Sequence, residues 1–274
     1  IKSSAASDVY KRQEGYIRDI KQDYIYLVRG SLAVNLDLTA VMAAHLKSGA
    51  DVTAVCTPNT PEGTHHRFVT DENGRATQLL FRRSGPGPGY AALEAYIMSR
   101  DTLLDLLERC DSAMNRRFHR DGLGGLMEAG GTINVYMHEG YAVNIADVTG
   151  YYEASMDMLD AKNRRELFPE DRPVHTKGRA DVSTYYGDGA VVKNCLVADG
   201  CFIEGELENC VIFRGVRIEQ GAVLKNCIIM QHGIICEDAY AANMICDKYV
   251  TLGRGTRIEG GADHPFIIGK NQEL

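Results

Sequence analysis

The chain has 274 residues, long enough for two domains, with 45% hydrophobic and 24% charged residues, the balance of an ordinary globular protein. Its net charge is −7, and no basic grouping exceeds the pairs Arg82-Arg83 and Arg116-Arg117, which excludes the concentrated basic face of a nucleic-acid-binding domain. No apolar run reaches transmembrane length, no signal peptide opens the chain, and eight cysteines form no C-x-x-C pair, so the sequence reads as a cytoplasmic protein with reduced thiols.

Residues 1–13 (IKSSAASDVYKRQ) share no periodicity with the rest of the chain and begin without Met. They read as an adapter-like, non-native tail on a fragment missing its true start, and are set aside for fold reasoning. From Glu14 to Leu167, strands alternate with helices. Tyr24–Val28 is a strand closed by Gly30, and Leu38–Lys47 is an amphipathic helix with Asp37 as N-cap and Gly49 as stop. Asp51–Thr57 is a second strand. Arg67–Val69, the turn Asp71-Glu72-Asn73-Gly74 and Ala76–Phe81 form a hairpin, and Tyr90–Met98 is a further strand. Helices are predicted over Asp101–Arg109, Asn115–Ala129 and Thr149–Ala161, and strands over Thr132–His138 and Ala142–Ile145. The alternation predicts an α/β layer with a mainly parallel sheet across 14–167. A connector rich in Pro and Gly spans 168–188.

From 189 to 274 a short phrase recurs. Asn194-Cys195-Leu196-Val197 returns as Asn209-Cys210-Val211-Ile212, Asn226-Cys227-Ile228-Ile229 and Asn243-Met244-Ile245-Cys246, at spacings of 15, 17 and 17 residues. Turn residues Gly200, Gly215 and Gly233 come next, each leading to a second apolar strip. Three sides of about six residues make a coil of about 18, the signature of a hexapeptide β-helix. Stacking then places Cys195, Cys210 and Cys227 in an inward column, filled as small apolar residues. It places the four asparagines in a corner column, where positive φ is cheap and carboxamides satisfy the turn.

Candidate chemistry is sparse. The run Ser84-Gly85-Pro86-Gly87-Pro88-Gly89 resembles a phosphate loop only superficially, because its prolines remove N–H donors and no Lys-Ser/Thr comes after it. His65 and His66 are adjacent and read as solvated, facing opposite ways on a strand. His232 sits at a β-helix corner, where an acyltransferase could place a general base. Asp147 lies just beyond a strand, at the end where α/β sheets hold ligands.

The order of these parts, with the phrases Leu196-Val197-Ala198-Asp199-Gly200-Cys201, Cys227-Ile228-Ile229-Met230-Gln231 and Pro265-Phe266-Ile267-Ile268-Gly269-Lys270, resembles bacterial glucose-1-phosphate adenylyltransferase (ADP-glucose pyrophosphorylase). The likeness runs to nearly everything after Gln13 and is strongest to the non-catalytic D-type subunit. It implies a partial Rossmann-like nucleotidyltransferase domain followed by a left-handed parallel β-helix of hexapeptide repeats. It also implies a place in glycogen biosynthesis, where ATP and glucose 1-phosphate give ADP-glucose and pyrophosphate with Mg2+. Ser31 stands where the family's first metal-binding Asp is expected, and a neutral hydroxyl is a poor Mg2+ ligand. Asp147 keeps the second metal position. The family's sugar-phosphate Lys falls in Arg83-Ser84-Gly85, leaving Arg82 or Arg83 as the substrate-binding cation. Arg172, Lys177 and Arg179 lie where the family receives phosphorylated effectors. These substitutions imply an accessory subunit, non-catalytic alone, in a heterotetramer with a catalytic homologue. The alternatives are an active sugar-phosphate nucleotidyltransferase, with Asp37 or water supplying the second metal contact, and a hexapeptide acyltransferase.

Overall fold

The computed structural model describes residues 14–58, 66–81, 87–112, 117–178, 181–261 and 263–274. The chain divides into two compact units, one ending at Asn144 and the other running from Ile145 to Leu274.

In the first unit, a helix over 14–19 (α1) precedes strands β1 (Tyr24–Val28) and β2 (Leu32–Val34). Helix α2 (Leu38–Ser48) is fixed at both ends by its sequence. The Asp37 carboxylate accepts the Ala40 N–H at 2.9 Å, and Gly49 adopts φ 60° while its N–H closes on the His45 carbonyl. Strands β3 (Val52–Thr57), β4 (His66–Thr70), β5 (Ala76–Phe81) and β6 (Tyr90–Ser99) succeed it. Then come α3 (Arg100–Ser112), a π-helix (Phe118–Gly124), the single turn α4 (Gly125–Glu128), β7 (Ile133–Met137) and β8 (Ala142–Asn144).

The main sheet runs β5-β4-β6-β3-β7, with β1 also pairing β6, while β2 and β8 form a separate ribbon. Only β3–β7 is parallel; β1–β6, β3–β6, β4–β5 and β4–β6 are antiparallel. The expected mainly parallel sheet is therefore a mixed one. Among the described residues between 66 and 99, three strands succeed one another with no helix to carry the chain back, so each reverses direction. Alternate residues feed two cores. Val52, Ala54, Cys56, Phe68 and Met98 pack toward Leu103, Leu106 and Leu123 from α3 and the π-helix, while Val55, Leu93 and Ile97 pack with Val41 of α2.

Pairing between β3 and β6 slips once. Val55 faces Ala95 but Cys56 faces Ala92, so Leu93 and Glu94 form a β-bulge, with Glu94 at φ 54°. Two other expectations change. The helix anticipated over Asn115–Ala129 is a π-helix followed by one α-turn, in a segment loosened by Gly122, Gly124 and Gly125. His66 is buried (1% exposed) rather than solvated, because β4 lies between β5 and β6; His65 is outside the described residues.

The second unit opens with two helices, α5 (Val148–Asp157) and α6 (Ala161–Leu167), where one was expected; Asp160 caps the second through the Lys162 N–H. Beyond them the chain winds as a parallel β-solenoid. Three ladders run in register: Val191, Glu206, Val223, Tyr240 and Arg257; Leu196, Val211, Ile228, Ile245 and Ile267; and Tyr185, Phe202, Arg217, Ile234 and Thr251. The inward positions Ile203, Leu207, Ile212, Ile218, Leu224, Ile229 and Ile235 form one continuous core. Helix α5 covers one outer face, with Tyr151, Tyr152 and Met156 packed on Val211, Ile228 and Ile245. That contact is why α5 belongs with the solenoid in the compact division rather than with the strands before it.

Each solenoid corner is a column of left-handed residues. Asn194, Asn209, Asn226 and Asn243 hold φ of 50–53°. A second column contains Gly200, Gly215, His232 and Tyr249, so the third turn falls on His232 rather than on the expected Gly233. Gly215 is required there: a Cβ would meet the His232 imidazole at 2.6 Å. The third column is Gly221, Asp238 and Gly255.

Candidate functional site

The metal positions implied by the resemblance lie at the ends of short elements. Ser31 precedes β2, which pairs antiparallel with β8, and its hydroxyl donates to the Asn144 side-chain oxygen at 2.6 Å. Asp147 lies in the second unit as the N-cap of α5, one carboxylate oxygen accepting the Gly150 N–H at 2.8 Å. Asp37, the substitute ligand of the catalytic alternative, is the N-cap of α2, and burial together with the nearby Asp37 charge raises the Tyr26 phenol pKa. Mg2+ prefers carboxylate, phosphate and water oxygens in strict octahedral geometry. The neutral Ser31 hydroxyl, already engaged with a carboxamide, does not fit that demand, and the two carboxylates each spend one oxygen on a helix cap.

Arg82, Arg83 and Arg179 lie outside the described residues. Arg172 pairs with Asp171 at 3.0 Å, and Lys177 is exposed. His232 stacks on Tyr249, centroids 5.2 Å apart and planes 17° from parallel, as the next rung of its column.

The inward cysteine column is structural. Cys195, Cys210 and Cys227 donate their thiols to the carbonyls of Lys193, Glu208 and Lys225 at 3.1–3.2 Å. Burial pushes the Cys246 thiol up to about 12, far from thiolate chemistry. The asparagine column is also self-satisfying. Asn194 donates to Asn209, Asn209 to Asn226 and Asn226 to Asn243, each through its side-chain N–H2 and at 2.8–3.2 Å; Asn243 donates to the Gly260 carbonyl at 3.0 Å. This ladder lines a cleft of about 610 Å3 against Tyr152, Met156 and Asp160, with the Tyr152 hydroxyl donating to the Asn226 carbonyl at 2.8 Å.

One constellation escapes sequence reasoning. His66, Glu94 and His119 stand 28 and 25 residues apart, yet one donor atom from each lies within 4.8 Å of the other two. No spacing motif marks them. The only signal is Glu94, a charge inside the apolar run of β6.

The α/β unit carries a mixed sheet, and the solenoid that comes after it in the chain is built of parallel coils of the hexapeptide kind. The model of the family described as "GlmU-like, C-terminal hexapeptide" matches residues 182–265. The glycogen biosynthesis protein GlgD of Bacillus subtilis (strain 168) is 30% identical over 93% of this chain and 65% of its own length. Glucose-1-phosphate adenylyltransferases of Acetivibrio thermocellus and Bacillus thuringiensis (strain Al Hakam) are each 24% identical, over 91% and 98% of this chain and 60% and 73% of their own lengths. The chain is thus similar to GlgD and the adenylyltransferases across nearly all its residues, as its sequence phrases indicate, and spans less than two thirds of the first two relatives. Among the described residues, no helix is long and apolar enough to cross a membrane.

Proposed function

We propose that the protein is an accessory subunit of glucose-1-phosphate adenylyltransferase in glycogen biosynthesis, assembling with a catalytic homologue that converts ATP and glucose 1-phosphate to ADP-glucose and pyrophosphate. The observation that carries this reading is the fate of the first metal position: Ser31 offers a neutral hydroxyl already donated to Asn144. Asp147 retains a carboxylate but uses it to cap α5. Mg2+ chemistry belongs, in this reading, to the catalytic partner. The solenoid supports the assembly role through an outward column of Tyr185, Phe202, Arg217 and Ile234. Tyr185 stacks on Phe202 at 4.7 Å and Arg217 lies over the Phe202 ring, giving a rigid, partly apolar surface of the kind that oligomer contacts use. Arg172, Lys177 and Arg179 supply a basic stretch for a phosphorylated effector, and Lys177 is exposed.

The test is pyrophosphate release from ATP and glucose 1-phosphate with Mg2+, using the complete protein with and without a catalytic homologue. The expected result is no turnover alone and stimulation of the homologue. Robust turnover alone would overturn the reading and favour an active nucleotidyltransferase. In the assembled enzyme, Lys177→Ala is expected to weaken activation by sugar phosphates several-fold.

A further inference from the structure

We propose that His66, Glu94 and His119 form a binding site for a divalent transition-metal ion of the zinc type, within the α/β unit and built from residues other than Ser31 and Asp147.

The three ligands come from three elements that the fold holds firmly. His66 opens β4, and its side chain is 2% exposed. Its Nε2 is within 2.7 Å of the Tyr96 hydroxyl, which fixes the ring and turns Nδ1 toward Glu94 Oε1 at 4.0 Å. A ligating histidine is ordinarily oriented in this way, by a hydrogen bond to its other nitrogen. Glu94 sits on the β6 bulge in a left-handed conformation that costs a non-glycine residue about 1–2 kcal/mol. The bulge re-aims the carboxylate, and Arg29 holds it from the backbone of the neighbouring strand's end: the Arg29 N–H donates to the Glu94 carbonyl at 3.1 Å and its guanidinium to Oε1 at 2.9 Å. That leaves Oε2 facing His119 Nε2 at 3.9 Å. His119 is the second residue of the π-helix, and its ring lies 4.2 Å from that of His66.

Strained strand backbone and π-helical turns both concentrate at functional sites, and here they deliver two of the three ligands to the same point. Tetrahedral zinc, with bonds of about 2.0–2.1 Å, sets neighbouring donor atoms roughly 3.3 Å apart. One donor atom from each residue lies within 4.8 Å of the other two, and side-chain rotation closes these spacings to that value. Two imidazoles and one carboxylate favour zinc, nickel or cobalt over the hard cations Mg2+ and Ca2+. Three protein ligands leave a position open to water or an anion. The Arg29 charge tempers the affinity while orienting the carboxylate.

The experiment is titration of the complete protein with cobalt(II) as a spectroscopic probe, then displacement with zinc. A single site should give visible d–d absorption without the near-ultraviolet thiolate bands that cysteine ligation adds. His119→Gln should weaken cobalt binding by about tenfold or more. Glu94→Gly removes a ligand while suiting the left-handed backbone, so it should fold and lose the visible bands. The proposal is overturned if the wild-type chain takes up no cobalt, if thiolate bands dominate, or if both variants, folded by circular dichroism, bind as the wild type does.

Discussion

The two units satisfy buried polarity by different means. Among the described residues, the buried polar and charged side chains are His45, Thr53, Thr57, His66 and Arg67, all in the α/β unit. Several are satisfied by partnerships that occur once: His45 with Thr53 at 2.9 Å, His66 with Tyr96, and Arg67 with the Pro88 and Gly89 carbonyls. The solenoid meets the same demand with a few solutions repeated coil after coil, a carboxamide ladder at one corner and a thiol-to-carbonyl bond in an inward column. Repetition of that kind marks architecture. Polar arrangements that occur once, and that hold a strained residue such as Glu94, are where chemistry belongs.

Core truncation is the strongest way to compare the units. Phe68→Ala, which empties the junction of the sheet with α3, should cost about 3–5 kcal/mol, and Leu224→Ala, one rung of a stacked column, about 2–5 kcal/mol. Urea unfolding monitored by circular dichroism measures both, and equal, negligible losses would contradict this packing. Next in size is the ladder. Asn226→Ala removes two carboxamide hydrogen bonds and leaves at φ 51° a residue without the polar side chain that makes this conformation tolerable, for an expected loss of about 2–4 kcal/mol. Asn226→Gly should recover about 1 kcal/mol of that by relieving the backbone, separating the two contributions. In the α/β unit, Asp37→Ala should cost about 1 kcal/mol through loss of the α2 cap, measurable as a lowered melting temperature.

The smallest effect is a slope. Burial lowers the His45 pKa below its ordinary 6.5, with Asp51 opposing. The unfolded chain therefore binds a proton at a pH where the folded chain does not. Stability attributable to His45 is complete above pH 6.5 and declines as pH falls from there toward the depressed folded value. His45→Gln should flatten the stability-versus-pH profile in that window; an unchanged slope would exclude His45 as its source.

Most of the architecture is readable from the chain because each element carries its own local signal. Tyr24–Val28, the Asp37 and Gly49 caps, the hairpin and the four asparagine phrases all state their structure within a few residues. What is not readable depends on distant pairing. Strand direction in the main sheet comes from the hairpin inserting β4 beside β6, and burial of His66 comes from the same insertion. Glu94 meets His66 only because Arg67 pairs with Ala91 and Phe68 with Tyr90, and because β6 then slips by a bulge. The π-helix that brings His119 has no compositional signature beyond its glycines. At the candidate site, the replacement at Ser31 is visible in the sequence, whereas the bond to Asn144 and the capping role of Asp147 are not.

The asparagine ladder also has a direction. A carboxamide can be turned over with little change in shape, so a row of them could in principle point either way. Here the last member faces the carbonyl of Gly260, which can only accept, so Asn243 must present its N–H2 group there and its oxygen to Asn226. The same compulsion passes back through Asn209 to Asn194. A single backbone oxygen thus sets the sense of the whole row, and the dipoles of four side chains add along the coil axis. Reversing Asn209, Asn226 or Asn243 alone would break a bond on each side, so these three can change sense only together.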